Sequence, residues 1–288
     1  MPRCVRQGRP IHYARPWETE FGMKTALTIS ASDCCGAAGI QGDLKTFSVL
    51  GVYGMSAVTA IVVQNTQGIR EFHKLDAKLV AQQIDAMAGD IEIDACKTGV
   101  LVNQAIVEAV EDCLKRNKLV PYICDPALAS REGQRRLDEA GWQSLKKKLL
   151  PLATLVTPDL AEAAAIAGVE AASLTGAAAI QDVCRRIVGA GAKSVVVKGF
   201  PLQEQMVDYY FDGHAFLEFA GKMQPKEKSY GSGAAFSAAI TAGLALKMPI
   251  PQAIDQAKSL VNMAIQYSDG QGRGIAPINV LAFATKKK

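Results

Sequence analysis

Short apolar runs alternate with segments of helical period along most of the chain. The stretches 26–29, 56–63, 94–97, 122–124, 154–156 and 194–197 predict strands. Several are apolar on both faces, as a parallel sheet covered by helices requires. Between them, 40–50, 77–87, 103–116, 137–149, 160–167 and 177–189 repeat apolar residues at helical spacing. Strand, helix, strand repeated in this way predicts right-handed crossovers and one α/β domain, a three-layer αβα sandwich with a mostly parallel central sheet. Past residue 205 the rhythm changes. The runs 206–211 and 214–219 flank Asp212-Gly213, a hairpin signal, and helices are predicted at 232–246 and 251–267. The Gly-rich stretch 269–274 reads as mobile. No internal repeat and no linker stands out, so residues 1–22 are expected to form a flexible extension and 23–288 a single domain.

Composition narrows the function classes. With 288 residues, 49% of them hydrophobic and 21% charged, the chain can bury a full-sized core. It contains no charge-free apolar run of about 18 residues, the length of a membrane span. The net charge of +4 sits in the tails: Arg3, Arg6, Arg9 and Arg15 precede Met23, and Lys286 to Lys288 end the chain, leaving the body near neutral. A nucleic-acid partner would need a basic surface on the folded domain, so none is expected. The first residues lack a secretory apolar core. They read as a disordered tail or an over-extended start before Met23, with an organellar targeting segment as the alternative. The seven cysteines form no CxxC pair and no metal spacing with the three histidines, which predicts a reduced cytoplasmic protein with buried thiols. Adjacent Cys34 and Cys35 read as small residues in a tight loop, or else as a redox pair. His12, His73 and His214 are expected at the surface or in a hairpin.

Ligands of open α/β sheets bind at the carboxyl ends of the strands, which directs attention to the following loops. Residues 30–41, rich in Ser, Ala and Gly, let backbone N–H groups approach an anion, or simply make a tight turn. Tyr230-Gly231-Ser232-Gly233-Ala234 opens an apolar helix whose N-terminal amides could face phosphate oxygens, or Ser232 is merely a cap. Asp159 and Glu162 form a capping box, or hold Mg²⁺ through water. Lys198, at a strand end, reaches a phosphate or only solvent. Asp125-Pro126 is a turn or an active-site carboxylate.

Taken together, these segments resemble a family. Residues 31–33 and 39–47, Leu50-Gly51-Val52-Tyr53-Gly54, Thr59-Ala60, Gln64-Asn65-Thr66, Lys97-Thr98-Gly99-Val100-Leu101, Asp125-Pro126, Thr157-Pro158, Val197-Lys198-Gly199, Gly231-Ser232-Gly233 and Pro277-Ile278-Asn279 are similar, in one register over about 24–280, to hydroxymethylpyrimidine and phosphomethylpyrimidine kinases of thiamine synthesis. These belong to the ribokinase-like superfamily. The resemblance implies ATP- and Mg²⁺-dependent phosphorylation of the pyrimidine's hydroxymethyl group and then of the monophosphate, in a protein expected to be a homodimer. It places Asp33 and Gln64 in the pyrimidine pocket, where a side-chain amide offers an aminopyrimidine both a donor and an acceptor. It places Glu162, with Asp159, near Mg²⁺ and phosphate, Lys198 and Asp125 on the nucleotide side, and Gly231, Ser232 and Gly233 in the anion hole.

This sequence departs from the family at several of those positions. The anion-hole run, usually His-Gly-Thr-Gly-Cys, ends here in Ala234, which has no titratable group where the family has its base. Asp159 replaces an Asn, Ala31 a Gly, and Phe200 the second Gly of a pair. Three readings follow: an active pyrimidine kinase, a pyrimidine-binding protein that has lost catalysis, and a kinase for a related acceptor such as pyridoxal.

Overall fold

The computed structural model describes residues 22–130 and 133–285, so the extension expected at 1–22, with Cys4 and His12, lies almost wholly outside the described residues. The described residues form a nine-stranded sheet in the order β3-β2-β1-β4-β5-β6-β7-β8-β9. Its parallel centre is β1 (Thr25–Asp33), β2 (Tyr53–Asn65), β4 (Ala95–Thr98), β5 (Tyr122–Cys124), β6 (Leu155–Val156) and β7 (Val195–Leu202). The edges are antiparallel: β3 (Gly68–Lys74) on one side, β8 (Gln205–Phe211) and β9 (Phe216–Lys222) on the other.

Two apolar layers cover the sheet. On one face α1 (Gly39–Val49), α7 (Ser232–Ala245), α8 (Ile250–Gln266) and α9 (Leu281–Thr285) bury Phe47, Phe236, Ile240 and Leu260. On the other, α2 (Ala77–Ala88), α3 (Gln104–Arg116), α4 (Glu139–Ser144), α5 (Leu160–Ala167) and α6 (Ala177–Gly189) bury Ile84, Ile106, Trp142, Ala163 and Ile187. This is the three-layer sandwich that the periodicity predicts. The chain runs outward from β1 to β2 and then returns to β4 on the other side of β1, which makes a switch point whose crevice opens at the strands' carboxyl ends.

Three expectations need correction. β1 runs on through Ser30 to Asp33 rather than ending at Ile29, because β2 pairs with it as far as Val62. β3 was not foreseen, and neither was the hairpin joining β7 to β8. The stretch 269–274 is docked rather than loose: the Gly274 N–H donates to Thr66 Oγ1 at 3.1 Å and the Ile275 N–H to the Thr66 carbonyl at 2.9 Å. A β-carbon on Gly274 would collide with that carbonyl, so the close approach requires glycine.

The helix expected at 137–149 is α4 followed by a π-turn, Leu145–Leu149. Cys96, Cys113, Cys124 and Cys184 are buried thiols, with burial pushing Cys113 up to about 11 and Cys124 and Cys184 up to about 12. Cys34, by contrast, is exposed. His73 lies on β3 beside Glu71, and His214 lies in the exposed β8–β9 turn.

Candidate active site

A cleft of about 740 Å³ crosses the carboxyl ends of the parallel strands. Every candidate named from the sequence lines it: Asp33, Gln64, Asp125, Asp159, Glu162, Lys198, Gly231, Ser232, Gly233 and Ala234.

One end of the cleft is built by strand tips and two helix starts. Gly231, at φ +91°, precedes α7 in the left-handed region, and a β-carbon there would strike the Ala37 carbonyl. The turn therefore packs directly on the loop after β1. The Ser232 N–H donates to Ser229 O, and the Ala235 N–H to Gly231 O. Among the described residues nothing accepts the N–H of Gly233 or of Ala234. Two amides at a helix start thus remain for an anion. Lys198 Nζ stands 3.5 Å from the place a β-carbon of Gly233 would take. It also holds Asp125 Oδ1 at 3.2 Å, while Ser237 Oγ donates to Asp125 Oδ2 at 2.8 Å. Burial works to lower the Lys198 pKa, but Asp125, Glu162 and Asp159 together outweigh it and raise the value, so the ammonium is charged.

Asp159 and Glu162 do form the capping box: Asp159 Oδ1 accepts the Glu162 N–H at 2.9 Å, and Glu162 Oε2 accepts the Asp159 N–H at 3.0 Å. Capping does not exclude a role in the cleft, because both residues face it. Glu162 Oε1 also accepts the Leu128 N–H at 2.9 Å. Burial, reinforced by Asp159 and Asp125 against the pull of Lys198, raises Glu162 to about 7.

The opposite end is held by Asp33. Its oxygens accept the N–H groups of Cys35, Ala37 and Ala38 and the Tyr230 hydroxyl, at 2.8 to 3.2 Å. The carboxylate thus folds the loop after β1 and fastens it to the residue before the α7 turn. Gln64 ends β2 half-buried, and its side-chain amide has no partner among the described residues. Its backbone is bracketed by the Cys34 thiol, which donates to Gln64 O at 3.1 Å and accepts the Gln64 N–H at 3.4 Å. The docked stretch beyond α8 steadies the same hairpin tip through Thr66 and reaches Tyr230, whose N–H donates to Ala276 O.

The sequence reading missed several groups here. Lys258 Nζ pairs with Asp208 Oδ2 at 2.7 Å, and Asp208 Oδ1 accepts the Gly199 N–H, so a buried ion pair lines the far end of the cleft. Lys97 and Asp43 form a second buried pair at 2.8 Å. Arg136 also lines the cleft.

The sequence model of the phosphomethylpyrimidine kinase family matches residues 33–279. The chain belongs to this family. It is 35% identical to a hydroxymethylpyrimidine/phosphomethylpyrimidine kinase of Staphylococcus aureus (strain Mu50 / ATCC 700699), covering 92% of this chain and 96% of that one. Among solved structures it is similar to the ADP complex of Bacillus subtilis pyridoxal kinase, with a TM-score of 0.83 and 33% identity over 92% of this chain and all of that one. It is also similar to a phosphomethylpyrimidine kinase of Clostridium difficile 630, with a TM-score of 0.75 and 34% identity over 84% and 99%. Among the described residues no helix is long and apolar enough to cross a membrane.

Proposed function

We propose that the cleft transfers the γ-phosphoryl group of ATP to the hydroxymethyl oxygen of 4-amino-5-hydroxymethyl-2-methylpyrimidine, and then to the resulting monophosphate. The observation that carries this reading is the free amide pair of Gly233 and Ala234 beneath the Lys198 ammonium, in the same cleft as the unpartnered Gln64 amide. Phosphoryl transfer asks the protein mainly for positioning and charge stabilisation, and this end of the cleft offers both. In the reading, Gln64 holds the aminopyrimidine ring. The acceptor oxygen attacks phosphorus, the bond to the β-phosphate bridging oxygen breaks, and the two amides with Lys198 receive the charge on the transferring oxygens.

No cluster of three or more metal-ligating side chains occurs among the described residues. Glu162 already accepts two N–H groups, and Asp159 keeps only one oxygen clear of the capping box. That donor set suits a water-rich Mg²⁺ carried in on phosphates, not a protein cage. Asp159 and Glu162, with Asp125, would hold it through water, and it would neutralise phosphate charge.

Ala234 contributes only its N–H, so in this reading the hydroxymethyl proton passes to water rather than to a side-chain base at this position. A missing general base typically costs about 10²- to 10⁴-fold in rate. A coupled ATPase assay with the pyrimidine alcohol, its monophosphate and pyridoxal tests the reading. Turnover on the pyrimidines above that on pyridoxal is expected, with Ala234→Cys raising it at least about 10-fold. Thermal stabilisation by the pyrimidine without turnover in either protein would identify a binding protein instead, and preference for pyridoxal would reassign the acceptor. A cytoplasmic homodimer belongs to the same reading, and sedimentation of the purified chain checks the dimer.

A further inference from the structure

The cations lining the cleft are not equivalent. Lys97, Lys198 and Lys258 each hold an aspartate, and Lys222 is exposed on β9 at the far end. Arg136 differs from all of them. It is half-buried, it lines the cleft, and no carboxylate pairs with its guanidinium among the described residues. Its neighbour Arg135 makes the contrast: it is exposed and spent on the Leu137 carbonyl and Glu139.

The backbone around Arg136 is fixed on both sides. The Arg136 N–H donates to Leu128 O at 2.9 Å, and the Leu128 N–H in turn donates to Glu162 Oε1. On the other side the Asp138 N–H donates to Val102 O at 3.0 Å. The loop is thereby tied to the wall that carries Glu162. The charge is felt at Tyr230, whose phenol is pushed up by burial and Asp33 and pulled down by Arg136. Tyr230 immediately precedes the Gly231–Gly233 turn and holds Asp33. Arg136 therefore lines the same cleft as that turn, within electrostatic reach of the residue that precedes it.

We infer that Arg136 binds the phosphate already present on an anionic acceptor, which makes it a specificity residue for the second of the two transfers. This rests on the kinase reading above. In the first transfer the acceptor is a neutral alcohol and needs no extra cation. In the second it is a phosphate monoester of charge near −2 above its second pKa of about 6, brought against the γ-phosphate of ATP. In that reading Lys198 serves the migrating group. The remaining repulsion calls for a second cation on the acceptor side, and a guanidinium matches a phosphate with two parallel N–H donors.

Calorimetric titration of the full chain with the pyrimidine alcohol and with its monophosphate tests this, beside Arg136→Gln and Arg136→Lys. The wild-type protein is expected to bind the monophosphate more tightly than the alcohol. In Arg136→Gln the monophosphate affinity should fall about 10- to 100-fold and the alcohol affinity by no more than about 3-fold, with Arg136→Lys in between as a point charge. Retained alcohol binding shows that the variant is folded. An equal loss for both ligands, unchanged monophosphate affinity, or no wild-type preference for the monophosphate overturns the inference. Turnover separates the two claims: a wild-type protein that shows these affinities yet transfers no phosphoryl group sinks the kinase reading and still supports the anion subsite.

Discussion

Two buried lysine–aspartate pairs sit in the same sheet, separated by β5 and β6, and they behave as opposites. Lys97 reaches Asp43 Oδ2 at 2.8 Å, and Thr28 Oγ1 donates to the same oxygen at 2.6 Å. The two side chains are 1% and 0% exposed, and Asp43 Oδ1 has no partner among the described residues. Burial pushes the Asp43 carboxyl up while Lys97 and Thr28 pull it down. Lys198 and Asp125 are 15% and 9% exposed, and the ammonium faces three carboxylates and the α7 turn. The difference lies in access, since each aspartate keeps one hydroxyl donor when its lysine moves, Thr28 for Asp43 and Ser237 for Asp125. Lys198 is partly exposed to the cleft, so in the kinase reading it can exchange Asp125 for a phosphate. Asp43 is sealed, and among the described residues its second oxygen has no donor. The sealed pair ties α1 to the sheet, whereas the open one, in the kinase reading, takes part in the reaction cycle.

The largest expected effect tests the sealed pair. Lys97→Met leaves a buried carboxylate without its countercharge and should cost about 3–5 kcal/mol of stability, read by urea unfolding. Adding Asp43→Leu should recover most of that loss, because a packed apolar pair avoids the desolvation of both ions. A double variant no better than the single one would mean that the pair does more than neutralise itself.

The open pair should respond in the other sense. Lys198→Met should lower turnover about 10²- to 10³-fold, the range for removing one donor to a transition-state oxyanion. Its stability loss should be smaller than that of Lys97→Met, because Asp125 is less completely buried than Asp43, and Glu162, near 7, takes up a proton readily. Equal stability losses in the two variants would erase the distinction.

What could be read in advance follows how local the signal is. The α5 and α6 boundaries were legible because cap and periodicity lie within a few residues, as with Asp159 before Leu160. β3 was not, because Gly68-Ile69-Arg70-Glu71-Phe72-His73-Lys74 is a polar edge strand and its turn carries no adjacent Asn-Gly signal. The candidates at the strand tips were found because strand ends and helix starts can be located from pattern, and they do share one cleft. The ion pairs lay out of reach: Asp43 is 54 residues from Lys97, and Asp208 is 50 from Lys258. Nothing in the sequence around Arg136 marks it, and only the fold places it on the cleft wall. Glycines in 269–274 suggested looseness, yet glycine also lets two backbones touch, and contact with Thr66 is what it provides.

The smallest effect concerns Gln64, which has to be separated from the charged end of the cleft. Its amide has no partner among the described residues, so Gln64→Ala strands no buried group there and should cost little stability. Losing a donor and an acceptor to a neutral ring should weaken pyrimidine binding about 10-fold. Nucleotide affinity should change by less than about 2-fold, since Lys198, Asp125 and the α7 turn stand on other elements. The hairpin tip supplies the control. Gly274→Ala drives a β-carbon into the Thr66 carbonyl and must shift the tip without altering any charged side chain of the cleft. If Gln64 contacts the ring from that tip, both variants should lose the pyrimidine in preference to the nucleotide. Loss from Gly274→Ala alone would make the hairpin a wall of the pocket in which the Gln64 amide takes no part.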